Sequence, residues 1–196
     1  MNRKYVLKQR AERMQSTRRR IVEAAVELHR TLGPAETSFS AIAERAGVER
    51  HTVYSHFPTQ VELYNACGTH FLAAHPPPDV KAWLEVTDAT QRAGHGLREL
   101  FAYYEANEEM IGRVLRDSEK VPVGAGLRRL QEAAADALFP GWQAADTDSS
   151  PLIAVLRLAT SFACWQALAR HSGLTSGDAA GLMAGVVSCA AARDQP

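Results

Sequence analysis

Apolar residues recur along this chain every three or four positions and almost nowhere every second one, so the pattern predicts helices throughout and no sheet. Ile21, Ala25, Leu28 and Leu32 mark a first amphipathic helix over about 17–31, which Gly33-Pro34 breaks. Ile42, Ala43 and Ala46 mark a short second helix, with Ser38 as its N-cap and Gly47 at its exit. Val48 follows, and a third short helix puts Val53 and Phe57 on one inward face. Pro58 or Thr59 opens a fourth, through Val61, Leu63, Tyr64 and Cys67 to about residue 74. The proline-rich 75–79 must be a loop.

Longer patterns follow. One helix is predicted over about 80–106, interrupted near Gly94-His95-Gly96, and another over 108–119 with Met110, Ile111, Val114 and Leu115 on one side. A third, over 126–139, carries Leu127, Leu130, Ala134 and Leu138, and 146–151 reads as a polar loop. Pro151 opens a helix to about residue 171, and the last runs over about 175–193. That last helix carries Gly181, Gly185 and Cys189 four apart, a stripe that lets another helix approach closely. Two such helices paired with their twofold copies make a four-helix bundle; burial inside a monomer is the alternative. The expected fold class is all-α.

Composition is that of an ordinary globular protein: 196 residues, 46% apolar, 22% charged. No run of eighteen apolar residues exists, so no membrane span is expected. The first residues lack the apolar core of a secretory signal, which makes cytoplasm the expected location. Cys67, Cys164 and Cys189 show no metal spacing and read as buried reduced thiols. Net charge is zero, yet residues 1–20 hold eight Lys/Arg against one Glu. Residues 1–57 carry a net +5 and the remainder −5, the asymmetry expected when only the head meets a polyanion. A solubilising tail would explain the charge equally well.

Two short helices joined by a turn containing Gly form a helix-turn-helix, whose second helix enters a DNA major groove. Here that second helix turns Arg50, His51, Thr52, Tyr54 and Ser55 away from Val53 and Phe57. Arginine can bond guanine O6 and N7 together, and a threonine methyl can touch thymine. The run Thr37-Ser38, Ile42-Ala43, Ala46-Gly47-Val48, Thr52-Val53-Tyr54, His56-Phe57 and Glu62-Leu63 resembles the DNA-binding domain of the TetR/AcrR family of bacterial transcriptional regulators. The likeness reaches back through Ile21, Ala24-Ala25, Leu28 and Gly33. It implies a three-helix DNA-binding domain over 17–62, preceded by a basic arm over 1–16 and followed by a helical effector-binding and dimerisation domain over 63–196. It also implies phosphate contacts from Ser38, Tyr54 and His56, with Arg18 of the basic cluster beside them. Arg18, Arg19 and Arg20 would sit in the first turn of their helix, where positive charge is unfavourable unless phosphate lies near. The arm residues Lys4, Lys8, Arg10 and Arg13 can reach phosphates or a minor groove, or simply remain solvated.

Three positions depart from the family pattern. His29 replaces an apolar aromatic and is expected at the core edge, hydrogen-bonded within its domain. Glu49 is a poor cap for the third helix, free to accept from cytosine N4 or to pair with Arg45 or Arg50. Gln60 stands where Lys is usual.

The resemblance further implies a homodimer through 151–171 and 175–193, acting as a repressor released from a double-stranded DNA operator by a small-molecule effector. Phe71, Trp83, Phe101, Tyr104, Met110, Phe162, Trp165 and Gln166 are the candidates to line an effector site, with His95 and His171 as further polar groups. Ordinary core packing would place the same residues. No HExxH pair, nucleophile elbow or phosphate loop is present, so neither an enzyme nor a metal or other cofactor is expected. A protein-interaction module whose helix-turn-helix no longer reads DNA is the competing function.

Overall fold

The computed structural model describes residues 3–142 and 150–192, and among them every regular element is helical. The helices are α1 (Arg3–Thr31), α2 (Phe39–Ala46), α3 (Arg50–His56), α4 (Gln60–Ala74), α5 (Ala89–Ala106), α6 (Glu108–Asp117), α7 (Ala125–Leu138), α8 (Ser150–Ala159), α9 (Phe162–Gln166) and α10 (Ser176–Ala192). A 3₁₀ turn (Ala82–Glu85) precedes α5, and a π-helical turn (Ala167–His171) extends α9. The chain divides into two compact units, one reaching to Pro76 and taking in Glu109–Gly124, the other formed by Pro77–Glu108 and Ala125–Pro196.

The first unit is built on α1. Ile21, Val22, Ala24 and Ala25 meet Phe39, Ile42, Ala43 and Ala46 of α2, Val53 and Phe57 of the α3 region, and Leu63 and Cys67 of α4. Of the basic arm expected over 1–16, flexible or partly helical, residues 3–16 are helical and continue α1 without a break. Arg, Lys, Gln, Ala and Glu favour helix, and extending an existing helix carries no nucleation cost. Arg18, Arg19 and Arg20 therefore lie in mid-helix, and the unfavourable dipole argument lapses.

The second unit packs α10 on α5 and α8; Cys67 and Cys164 are buried as expected, but Cys189 of α10 is exposed, because it stands off that packed side. Its core includes Trp83, Leu97, Leu100, Phe101, Tyr104, Leu138, Leu152, Leu156, Phe162 and Trp165. The expected helix over 80–106 is shorter than its pattern, because 80–81 and 86–88 stay outside any helix, Ala82–Glu85 form only the 3₁₀ turn, and Asp88 caps α5 by accepting from Gln91 N at 2.7 Å. Gly94-His95-Gly96 does not interrupt it; a Cβ at Gly96 would stand 2.8 Å from the Trp83 ring, so the glycine serves close packing. The expected helix over 151–171 is broken instead, α8 and the α9 segment being bent by 59°. The Thr160 hydroxyl donates back to Leu156 O at 2.9 Å, and Ser161 turns extended to cap α9 by accepting from Cys164 N at 3.1 Å. The polar loop at 146–149 lies outside the described residues. No single described helix is long and apolar enough to cross a membrane.

Candidate nucleic-acid interface

The helix-turn-helix is fixed by local chemistry at each joint. Ser38 Oγ accepts from Ala41 N at 3.1 Å, satisfying one orphan amide at the start of α2. At its end Gly47 adopts φ 64°, ψ 43°, and Val48 N returns to Ala43 O at 3.0 Å. Arg20 donates to the carbonyls of Ala46 and Gly47, so a cation of α1 closes the negative end of α2. Glu49 starts α3 with no side-chain cap bond. It takes neither of the two cations open to it, since Arg45 pairs with Glu27 at 2.5 Å and Arg50 reaches Tyr54.

On α3, Val53 and the following Phe57 are fully buried, which leaves Arg50, His51, Tyr54 and Ser55 outward and exposed, with Thr52 and His56 at the margins. Tyr54 is 44% exposed, yet its ring packs on Phe39 with centroids 4.8 Å apart. Arg50 donates to the Tyr54 hydroxyl at 3.2 Å and its guanidinium stands 5.5 Å from the ring centroid. Ser55 Oγ donates to His51 O at 2.9 Å. Arg18 lays its guanidinium 4.6 Å from the centroid of Phe57, and Arg19 pairs loosely with Glu23 at 3.6 Å. The sequence-chosen residues Ser38, Arg50, His51, Thr52, Tyr54, Ser55 and His56 thus share one helix-turn-helix, with aromatic hydroxyl, imidazoles and guanidinium on its outward side. Neutral hydroxyls and a cation on such a face suit phosphates and base edges.

Pattern reading missed what holds this unit from α6. Asp117 is wholly buried and accepts from Ala35 N at 3.0 Å. Arg116 forks onto its carboxylate at 2.7 and 3.0 Å while donating to Leu32 O at 2.8 Å. Arg30 meets Glu109 at 2.5 Å. That Arg116 hydrogen bond, first among the causes, holds the Asp117 carboxyl below its ordinary range. Gly33, at φ 106°, leaves the room these groups need, since a Cβ there would lie 2.1 Å from Arg116 Nη2. A charged pair far along the chain gives no periodic signal, so nothing in the sequence joined it to the α1–α2 turn.

His29 departs from its expected hydrogen-bonded place. It is 4% exposed, tilted against Tyr64 with ring centroids 5.5 Å apart, and its Nε2 has no partner. Burial pushes its pKa down to about 4, and the opposing charge of Asp117 does not recover it.

The effector candidates fall into two groups. Tyr104, Phe162 and Trp165 form one aromatic cluster with centroids 5.1–6.2 Å apart, and the Tyr104 hydroxyl donates to Thr160 O at 2.6 Å. Arg170 covers Trp165 at 4.8 Å, Trp83 donates to Glu99 at 2.7 Å, Phe101 is fully buried, and Gln166 is half-buried. His95 stands 3.5 Å from Glu99, and His171 ends the π-helical turn. Phe71, stacked on His75, and Met110 belong to the first unit and do not join that cluster.

Residues 21–67 match the family model described as bacterial regulatory proteins, tetR family. A comparison with curated proteins finds no match. Among solved structures, the chain is similar to a Clostridium perfringens protein assigned as a fatty acid metabolism regulator, at 16% identity and TM-score 0.61, covering 87% of this chain and 97% of that one. It is also similar to a tetR-family transcriptional regulator from Streptomyces coelicolor, at 16% identity and TM-score 0.54, covering 93% and 90%. A TetR-like transcriptional regulator from Rhodococcus sp. RHA1 matches at 19% identity and TM-score 0.53, covering 90% and 94%. Residues 21–67 are therefore similar to the DNA-binding region of the bacterial regulatory proteins of the tetR family, and the whole chain has an all-helical fold similar to that of the solved structures.

Proposed function

We propose that this chain is a sequence-specific DNA-binding transcriptional regulator, a homodimeric repressor that a small-molecule effector releases from its operator. The observation that carries the reading is the outward face of α3, where Arg50, His51, Tyr54 and Ser55 stand exposed beside Thr52 and His56 while Val53 and Phe57 anchor the helix from behind. Ser38, Tyr54, His56 and Arg18 position the unit on phosphates; Arg50, His51, Thr52 and Ser55 read base edges.

Dimerisation is supported by the outer side of α10, where Leu182 (51% exposed) and Val186 stand beside Gly181, Gly185 and Cys189, with Leu158 of α8 also exposed. Apolar side chains next to glycines offer a close-packing seam to a second copy. In such a dimer, recognition helices about 34–36 Å apart meet successive major grooves, and an effector bound in the second unit favours a spacing that no longer fits. The aromatic cluster of Tyr104, Phe162 and Trp165, bordered by Gln166, is the place in that unit with the chemistry to hold an apolar ligand. The chain acts in the cytoplasm, without an enzymatic step.

The test is selection of duplexes from a random library with the full chain, followed by gel shift with wild type, His51→Ala and Tyr54→Ala. A palindromic motif bound by wild type and lost by both variants supports the reading. Failure of the wild type to enrich any motif overturns it.

A further inference from the structure

The length of α1 brings its basic amino-terminal half alongside α3. Gln9, Arg10, Arg13 and Thr17 line one wall of a groove of about 430 Å³ whose other wall is Thr52 and His56. Those positions share one face of α1 at the helical repeat. No acidic residue borders the groove. Glu12, the one acid among the first twenty residues, turns instead into the separate groove between α1 and α4, 3.9 Å from Lys8. The segment thus divides its charge: the side towards α3 carries Arg10 and Arg13 with no acid, whereas Lys8, beside Glu12, does not line that groove.

Two apolar side chains, Val6 and Met14, also line the groove and remain about half exposed. Two adjacent cations flanked by apolar groups on one wall suit a sugar–phosphate strand, which presents anionic oxygens beside the apolar faces of deoxyribose. The protein itself gives this half of α1 little to pack on, since residues 5–16 are exposed except Gln9.

We infer that residues 6–17 of α1 form a second, sequence-independent DNA contact. Arg10 and Arg13 would each take a phosphate on the strand flanking the bases under α3, and His56 would face the same strand from the other wall. The inference rests on the DNA-binding reading above and adds to it a rigid helical clamp. The footprint then extends past the bases that α3 reads, and affinity gains a salt-sensitive share without gaining specificity. This clamp compensates for the neutral Gln60 at the start of α4.

The experiment measures DNA affinity against salt for wild type, Arg10→Gln/Arg13→Gln and the control Lys8→Gln. The probes are a random-sequence duplex and the duplex that wild type selects. Arg10 and Arg13 are exposed and Gln is a good helix former, so circular dichroism should show each variant folded. Losing two phosphate contacts should flatten the slope of log K against log salt by about 2 for each bound head. The loss should be equal on both duplexes, with Lys8→Gln unchanged. An unchanged double variant, an equal effect of Lys8→Gln, or a loss confined to the selected duplex would each overturn the clamp while leaving the regulator reading intact. A wild type that binds neither duplex would overturn both.

Discussion

Acidification should loosen the first unit through His29. Protonating its ring places a charge where the residue is 4% exposed and Nε2 has no partner, so burial lowers the pKa from its ordinary 6.5 to about 4. A histidine whose folded pKa is depressed leaves the native state intact above the unfolded value and weakens it as pH falls through the interval between the two. The whole interval is worth about 3 kcal/mol, of which about 2 kcal/mol is lost by pH 5. Asp117 lies lower: its carboxyl is held beneath its ordinary 3.8, so its share is lost only in stronger acid. The window between pH 7.5 and 5 therefore isolates His29. Urea unfolding followed by far-ultraviolet circular dichroism would compare wild type with His29→Phe at both ends of that window. Phenylalanine keeps a ring against Tyr64 and drops the unpartnered nitrogen. Wild type should lose about 2 kcal/mol more than the variant on acidification, and the variant should equal or exceed wild type at neutral pH. Equal pH dependence in the two proteins would refute the argument.

Other outcomes follow from named contacts. Gly33→Ala forces a Cβ at φ 106° against Arg116 and Asp117 and should cost at least about 2 kcal/mol, read as a lower thermal midpoint of the first unit. Tyr104→Phe leaves the buried Thr160 carbonyl without its 2.6 Å donor and should cost about 1–3 kcal/mol, measured by tryptophan fluorescence because Trp165 lies 6.2 Å away. Leu182→Arg places a charge on the outer side of α10 and should leave a monomer by light scattering if that side is the seam between copies. Cys67, its thiol pushed up to about 12 by burial, should resist alkylation at pH 8 until the unit unfolds, which mass spectrometry of trapped thiols would show.

Periodicity made most of the fold legible, since Ile21 to Phe57 repeat at helical spacing and Ser38 and Gly47 announce their own joints. What stayed hidden lay in places where a local choice competes with the pattern. Residues 3–16 lack an apolar stripe, so only continuity with the packed part of α1 makes them a helix. Thr160-Ser161 sits in an apolar run, and the break comes from hydroxyls bonding to backbone, which hydropathy does not register. Most of the candidate face was readable because one short helix, α3, carries Arg50, His51, Thr52, Tyr54, Ser55 and His56. The support from Arg116 and Asp117 was not, because a half-buried ion pair is recognised by its partners, and Ala35 and Leu32 lie some eighty residues away.

Seven residues make α3, two turns that would melt at once in isolation. Its order is borrowed from Val53 and Phe57, so the reading head has no independent melting point. Heat-sensitive alleles of this protein should accordingly cluster behind the helix, in the residues that grip it, and abolish its function without altering a single group on the outward face.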